Sequence, residues 1–290
     1  MNARDKVLIT AGQLAEHIAA GEPVTLLDVR WRLDAPDGHD AYLAGHLPGA
    51  VYVSLEDELS DATVTGRGRH PLPTGRNLEA AARRWGVRRE KLTVAYDDWN
   101  RAGSGRAWWL LTASGLTNVR ILDGGLAAWV AAGGELQTGE VTAEPGNVTV
   151  LHEDMYDSSR PTLTAEQVGE VTLLDARPAE RFRGDGDEPA GAVSGHIPGA
   201  KSLPFAALLD ADGTFLGDDA LAGLLAERGV GGDGDGGGGE GPVGAYCGSG
   251  ISATVVVAAL AALGRPAALY PGSWSEWSSD PTHPVARGAQ

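Results

Sequence analysis

Residues 244–253 read G-A-Y-C-G-S-G-I-S-A and hold the single cysteine of the 290-residue chain, Cys247. A related segment about 150 positions earlier, V-A-Y-D-D at residues 94–98, has Asp97 at the position of the cysteine. Three other pairs of segments match in the same order at nearly the same separation: L-L-D-V-R (26–30) with L-L-D-A-R (173–177), G-H-L-P-G-A (45–50) with G-H-I-P-G-A (195–200), and L-D-G-G-L-A-A-W (122–129) with Y-P-G-S-W-S-E-W (270–277). This ordered self-similarity indicates a duplicated module of about 130 residues, a period too long for a solenoid.

The second copy alternates predicted strands with predicted helices. Short apolar segments at residues 171–176, 242–246 and 267–270 predict strands, whereas residues 219–228 and 251–264 have the composition of helices. Strands that alternate with helices are typical of a parallel sheet covered by helices on both faces. The sequence therefore predicts the α/β class, with two tandem domains that each contain a mainly parallel sheet.

The two copies also predict the domain boundaries. Residues 1–140 form the predicted N-terminal domain and residues 161–290 the C-terminal domain. Residues 141–160 are polar and contain Gly and Pro, which predicts a linker. The glycine-rich segment at residues 231–241 is of low complexity and predicts a flexible surface loop.

Composition makes the chain strongly acidic. It carries 23 Lys and Arg against 39 Asp and Glu, a net charge of −16, with a pI near 4.7. Such a surface repels phosphate backbones, so no nucleic-acid partner is predicted, and an anion site needs its own local positive potential. One cysteine excludes an internal disulfide and a Cys-x-x-Cys metal site, and no metal or other cofactor is predicted. The sequence shows no signal-peptide core and no apolar stretch of transmembrane length, which predicts a cytoplasmic location without a membrane partner.

Cys247 follows a predicted strand directly and precedes a predicted helix. A lone cysteine is often a small buried hydrophobe. However, ligands bind at the carboxyl ends of strands in open parallel sheets, which is where this cysteine falls. The glycines of the loop allow it to curl, so that its N–H groups form an anion nest that favours the nucleophilic thiolate. The nest is predicted from Gly248, Ser249, Gly250, Ile251, Ser252 and Ala253.

Asp97 occupies the corresponding position of the first copy. A carboxylate in an anion nest cannot supply the thiolate chemistry of a cysteine. The first copy is therefore predicted to be catalytically inactive, and the second to carry the chemistry.

These motifs resemble those of the rhodanese superfamily in its two-domain form, whose N-terminal half is degenerate. The resemblance spans nearly the whole chain and rests on R-A-W-W-L-L (106–111), D-G-G-L-A-A-W (123–129), L-L-D-A-R (173–177), R-F-R-G (181–184), G-H-I-P-G-A (195–200) and C-G-S-G-I-S-A (247–253). It implies a sulfurtransferase in which Cys247 takes the outer sulfur of thiosulfate or 3-mercaptopyruvate and becomes a persulfide. The sulfur then passes to a thiophilic acceptor such as cyanide or a thiol, including a protein thiol of the thioredoxin type.

The resemblance also implies which residues bind the donor. Cys-Gly-Ser-Gly is similar to the loop of members that prefer 3-mercaptopyruvate, and Arg181 corresponds to the arginine that holds the anionic donor. A guanidinium suits a carboxylate or a thiosulfonate because it donates two parallel hydrogen bonds. Ala190 stands where 3-mercaptopyruvate enzymes tend to carry a second arginine, so thiosulfate stays open as the donor.

A proton relay is implied by the same comparison of motifs. Ser249, two positions after the cysteine, corresponds to the relay serine. His70 in G-R-H-P-L-P and Glu56 in S-L-E-D-E-L correspond to the histidine and the carboxylate.

Two other functions are compatible with a cysteine loop. A phosphatase of a related fold requires Cys-x5-Arg, but the sixth residue after Cys247 is Ala253, which argues against phosphate chemistry. A non-enzymatic persulfide carrier or redox-sensing module would use the same loop, and the sequence leaves this alternative open.

Overall fold

The computed structural model describes residues 2–186, 193–231 and 241–289, in which the chain divides into two compact units. The first unit comprises Met1–Asp61, Leu72–Arg160 and Asp210–Phe215, and the second comprises Ala62–Pro71, Pro161–Leu209 and Leu216–Gln290. Each unit therefore includes a short segment from the other half of the sequence. Within the described ranges, none of the helices has the length and apolar character that crossing a membrane requires.

The first unit is built on a parallel sheet. Its strands are β1 (Leu8–Ile9), β2 (Val24–Asp28), β3 (Val51–Tyr52), β4 (Leu92–Tyr96) and β5 (Val119–Leu122). Its helices are α1 (Ala3–Val7), α2 (Ala11–Ala19), α3 (His39–Ala44), α4 (Leu55–Glu58), α5 (Gly75–Arg84), α6 (Ala102–Ala113) and α7 (Gly125–Ala131). The strand order is β1-β5-β4-β2-β3, and every pair is parallel.

The second unit repeats this topology. Its described strands are β6 (Thr172–Asp175), β7 (Lys201–Ser202), β8 (Val243–Tyr246) and β9 (Ala268–Leu269), in the parallel order β7-β6-β8-β9. Its described helices are α8 (Ala179–Arg183), α9 (Asp218–Ala226), α10 (Ala253–Ala262) and α11 (Ser273–Trp277), with 3-10 turns at Val168–Glu170 and Phe205–Leu208. A parallel bridge between Thr162 and Leu269 stands beside β9 as β1 stands beside β5. The predicted α/β class with duplicated parallel sheets is confirmed.

One helix in each unit is buried nearly all round. Helix α10 follows β8, packs against β8 and β9, and has the sequence A-T-V-V-V-A-A-L-A-A, in which nine of the ten residues are buried. A helix that is apolar on every side is stable only in a core. Helix α6 has the same place after β4 and buries both Trp108 and Trp109. The loops before these two helices are therefore held between a buried strand and a buried helix.

A buried ion pair ties the central sheet of each unit to a neighbouring turn. Arg177 Nη2 lies 2.7 Å from Asp175 Oδ2, and the same nitrogen donates to the carbonyl of Gly195 at 2.7 Å. Arg30 and Asp28 repeat the pair in the first unit, at 2.8 Å. The motif that recurs in both copies is thus a structural ion pair at the end of a central strand.

Replacement of Arg177 by Met is expected to destabilise the protein by about 3–5 kcal/mol, because Asp175 keeps a buried charge without its partner. Urea unfolding measures the change. The matched control is Arg183→Met, which removes an exposed pair with Asp185 and is expected to cost less than about 1 kcal/mol. Equal losses in the two variants would contradict the structural role of Arg177.

Candidate active site

Cys247 is fixed by backbone hydrogen bonds to the start of α11. The cysteine follows the last residue of β8, and only 3% of its surface is exposed. Its N–H donates to Ser273 Oγ at 3.1 Å, and its carbonyl accepts from the N–H of Trp274 at 3.0 Å. The backbone N–H and the backbone carbonyl of Cys247, on either side of its side chain, are therefore both held in place.

The loop after the cysteine turns sharply at Gly250. This residue has a φ of +77°, a left-handed conformation that favours glycine, and a Cβ there would lie 2.3 Å from the carbonyl oxygen of Pro271. The carbonyl of Gly248 accepts from the N–H of Ser275 at 2.9 Å. Both the turn and the close approach of the neighbouring backbone require a residue without a side chain at position 250.

Several N–H groups of the loop are available to a ligand. Among the described residues, the N–H groups of Ser249, Ile251, Ser252 and Ala253 donate to no acceptor. They precede or open α10, whose dipole also favours a negative charge at this end. This arrangement of donors suits an anion bound beside Cys247.

The corresponding loop of the first unit is filled by its own side chain. The Asp97 carboxylate accepts hydrogen bonds from the N–H groups of Trp99, Arg101 and Ser104, each at 3.1 Å, and from Ser104 Oγ at 2.6 Å. The Arg101 guanidinium lies 2.9 Å from the same carboxylate, in a site that is almost fully buried. A buried carboxylate thus satisfies the donors that the second loop leaves available.

Ser249 and His70 lie together in the second unit. Ser249 Oγ and His70 Nδ1 are 2.7 Å apart, and the two residues are 4% and 7% exposed. His70 belongs to the segment Ala62–Pro71, which joins the second unit although it precedes α5 in the sequence. That segment is anchored by the N–H of Arg69, which donates to Ser275 Oγ at 3.0 Å. A serine bonded to a histidine can pass a proton in either direction.

Glu56 lies in α4 of the first unit. Its Oε1 accepts a hydrogen bond from Trp31 Nε1 at 2.7 Å. Its predicted part in the relay stays a prediction.

Arg181 lies in α8, which follows β6. Asp175, the last residue of β6, is the strand partner of Tyr246, the last residue of β8. Helix α8 therefore begins near the carboxyl end of the sheet, where Cys247 also lies. The guanidinium is half-buried and has no hydrogen-bond or ion-pair partner among the described residues. Ala190, which bears on the choice of donor, lies outside the described residues.

One residue near the loop was not found from the sequence. Arg69 Nη2 lies 3.2 Å from the point that a Cβ on Gly248 would occupy, so a guanidinium lies beside the residue that follows Cys247. The signal available was the cluster G-R-G-R-H at residues 66–70, which places two arginines beside His70 in an acidic chain.

Comparisons with known proteins agree with the duplicated architecture. The family described as Rhodanese-like domain matches residues 10–132 and 162–280. The chain is 64% identical over 290 residues to SseB of Mycobacterium tuberculosis, provisionally named a thiosulfate sulfurtransferase, with 99% of each chain covered. It is 36% identical over 283 residues to a 3-mercaptopyruvate sulfurtransferase of Escherichia coli, with 96% of each covered. The crystal structure of SseA, a 3-mercaptopyruvate sulfotransferase of Escherichia coli, matches with a TM-score of 0.77 at 34% identity, over 92% of this chain and 98% of that one.

The fold and the loop define an α/β enzyme with two repeated parallel sheets and one cysteine after the central strand of the second. The chain belongs to the rhodanese family, and it is a sulfurtransferase. The resemblance found in the motifs is confirmed. An enzyme of this class is favoured over a non-enzymatic persulfide carrier, and sulfur transfer over phosphate chemistry.

Replacement of Asp97 by Ala is expected to leave the rate of sulfur transfer per folded molecule nearly unchanged, because the reacting cysteine lies in the other unit. The same change is expected to lower the free energy of unfolding by about 3–5 kcal/mol, because Arg101 keeps a buried charge. Steady-state assays and urea unfolding measure the two effects, with the exposed Asp157→Ala as control. A large fall in kcat with folding intact would contradict an inactive first unit.

Proposed function

We propose that Cys247 is the nucleophile and persulfide carrier of this sulfurtransferase, with 3-mercaptopyruvate or thiosulfate as the sulfur donor. One observation carries the proposal: the only cysteine of the chain directly follows β8, in a loop whose N–H groups are available to an anion. Such donors stabilise both a thiolate and a persulfide, which are anions at neutral pH. Arg181 is proposed to hold the anionic group of the donor.

With thiosulfate, the first half-reaction needs no proton. The Cys247 thiolate attacks the outer sulfur, a new S–S bond forms to give the persulfide anion, and the S–S bond of thiosulfate breaks. Sulfite leaves with the electron pair of that bond. Attack by cyanide or a thiolate on the outer persulfide sulfur then gives thiocyanate or a new persulfide and restores the Cys247 thiolate.

With 3-mercaptopyruvate, a proton must move. The thiolate attacks the donor sulfur and the carbon–sulfur bond breaks, so the leaving group is the enolate of pyruvate. The thiol proton of the donor has to leave the sulfur, and a proton has to reach the carbon of the enolate. The short contact between Ser249 and His70 supports a relay for this proton, and therefore supports 3-mercaptopyruvate as a donor. Glu56 is proposed as the carboxylate of that relay.

Thiosulfate is the second candidate donor. It is favoured by the name of the relative that is 64% identical, SseB. The ratio of kcat/KM for the two donors decides the preference. A thioredoxin-like protein thiol as acceptor and a cytoplasmic location stay predictions from the sequence.

Cys247→Ser is expected to abolish sulfur transfer from both donors, because a serine hydroxyl cannot form the persulfide. Thiocyanate formation from cyanide measures the turnover, and the mass of the wild-type protein after donor alone shows the added sulfur. Sulfur transfer retained by the variant from either donor would contradict the proposal.

Ser249→Ala and His70→Asn are expected to lower kcat for 3-mercaptopyruvate by roughly 10²–10⁴-fold and to affect thiosulfate far less, because only the first donor needs a proton transfer. Steady-state kinetics with both donors test this difference. His152 and Ser159 form a matched exposed pair at 2.9 Å, so His152→Asn and Ser159→Ala serve as controls. Equal losses with both donors would indicate a structural role for the Ser249–His70 contact instead.

A further inference from the structure

Residues 66–70 carry His70 and pack closely on the turn that opens α11. Gly68 has a φ of +81°, and a Cβ there would lie 2.5 Å from the carbonyl oxygen of Gly272. The two backbones therefore touch at a point where only glycine fits. The residue before Gly272 contacts Gly250 of the cysteine loop in the same way. The hold of this turn on residues 66–70 therefore sets the place of His70 beside that loop.

Glu276 brings a carboxylate to the same turn. Its Oε2 fills the space that a Cβ on Gly272 would need, so the side chain folds back over the start of its own helix. Arg67 directly precedes Gly68 and faces the carboxylate with the opposite charge. Burial raises the pKa of the Glu276 carboxyl, and the Arg67 guanidinium opposes that rise. The two segments that touch at Gly68 and Gly272 therefore also carry opposite charges, which attract each other.

Three other titratable groups act on the Glu276 carboxyl. Tyr270 and His283 favour its charged form and lower its pKa, whereas the charge of Glu166 raises it. The effect of Arg67 is larger than that of each of the three. Arg67 is therefore the main counter-charge of Glu276.

The first copy of the repeat lacks this carboxylate. Where L-D-G-G-L-A-A-W matches Y-P-G-S-W-S-E-W, Ala128 stands at the position of Glu276, and Leu122 stands at the position of Tyr270. Helix α7 forms with the alanine, so the fold of the repeat does not require an acid at this position. The carboxylate is present in the copy that carries the cysteine, which points to a role in the site.

We propose that Glu276 is a positioning residue, whose attraction to Arg67 holds residues 66–70 on the turn before α11 and so keeps His70 against Ser249. The inference rests on the proposed function, because it takes the contact between His70 and Ser249 as the proton relay for 3-mercaptopyruvate. Glu276 itself touches neither the donor nor the reacting atoms in this scheme. It acts through the segment that carries the histidine.

Hydrogen exchange tests the attachment without any turnover. In Glu276→Gln, exchange at the N–H of Arg69, which donates to Ser275 Oγ, is expected to be roughly 3–10-fold faster, because residues 66–70 leave the turn more often. Mass spectrometry of fragments that cover this segment measures the rate. Glu166→Gln, at an exposed carboxylate, is the matched control and should leave the exchange unchanged. Exchange at the wild-type rate in Glu276→Gln overturns the proposal.

Donor kinetics supply the second readout. In Glu276→Gln and in Arg67→Gln, kcat for 3-mercaptopyruvate is expected to fall roughly 3–10-fold with KM little changed, whereas thiosulfate, which needs no proton, is affected far less. The double variant is expected to lose no more than either single variant, because each change removes the same pair. Additive losses overturn the pairing, and equal losses with both donors overturn the action through His70.

Gly68→Ala breaks the same contact by steric exclusion. Its Cβ would meet the carbonyl of Gly272, so exchange at Arg69 and the loss of kcat for 3-mercaptopyruvate are expected to be at least as large as in Glu276→Gln. Gly66→Ala is the matched control, because Gly66 also has a left-handed φ of +76° but a Cβ there would have nothing within 4 Å. Equal effects in the two glycine variants would assign the loss to backbone strain and contradict the proposal.

Failure of the relay is distinguishable from failure of this inference. If His70→Asn keeps the wild-type kcat for 3-mercaptopyruvate, the relay fails. The exchange rate at Arg69 then still decides whether Glu276 holds residues 66–70 on the turn.

Discussion

The buried ion pair between Arg177 and Asp175 is the interaction on which the geometry of the cysteine depends. Asp175 ends β6 beside Tyr246, the last residue of β8. The Arg177 guanidinium packs over the rings of Tyr246 and Trp274, at 5.7 and 4.5 Å from their centroids. Tyr246 precedes Cys247 in the chain, and the N–H of Trp274 binds the carbonyl of Cys247. One cation buried among these groups therefore fixes the backbone on both sides of the sulfur-bearing side chain.

The two repeated loops use the same backbone position for opposite purposes. In the first unit, Asp97 occupies the site, where it pairs with Arg101 and accepts hydrogen bonds from three N–H groups of its own loop. In the second unit, Cys247 leaves several loop donors without a described acceptor. Buried donors without a protein acceptor are rare in folded proteins, and they are met by water or a ligand or belong to a catalytic site. The difference between a structural and a reactive loop comes down to which group receives these hydrogen bonds.

The fold and the cysteine loop were predictable from the sequence because their signals are local or repeated. The strand before Cys247, the turn at Gly250 and the buried helix after it all lie within one short segment. Arg69 was missed, because the basic cluster at residues 66–70 does not indicate that residues 62–71 join the second unit. His70 was found only through the resemblance to a known family. The composition of residues 141–160 predicts a linker, but it does not indicate the contacts of this segment, such as the hydrogen bond from the N–H of Gly146 to the carbonyl of Arg83 in α5.

The membership of residues 62–71 in the second unit means that the two units cannot be separated at one point of the chain. The half of the sequence without the cysteine supplies His70 and Arg69 to the unit that has it, and residues 210–215 of the other half join the first unit in return. Phe215 attaches the second of these segments to the first unit, because its N–H donates to the Asp123 carboxylate at 2.7 Å. Because each unit includes a segment from the other half of the sequence, neither half contains a whole unit. Cleavage of the chain between the two halves of the sequence would therefore separate each unit from a part of itself.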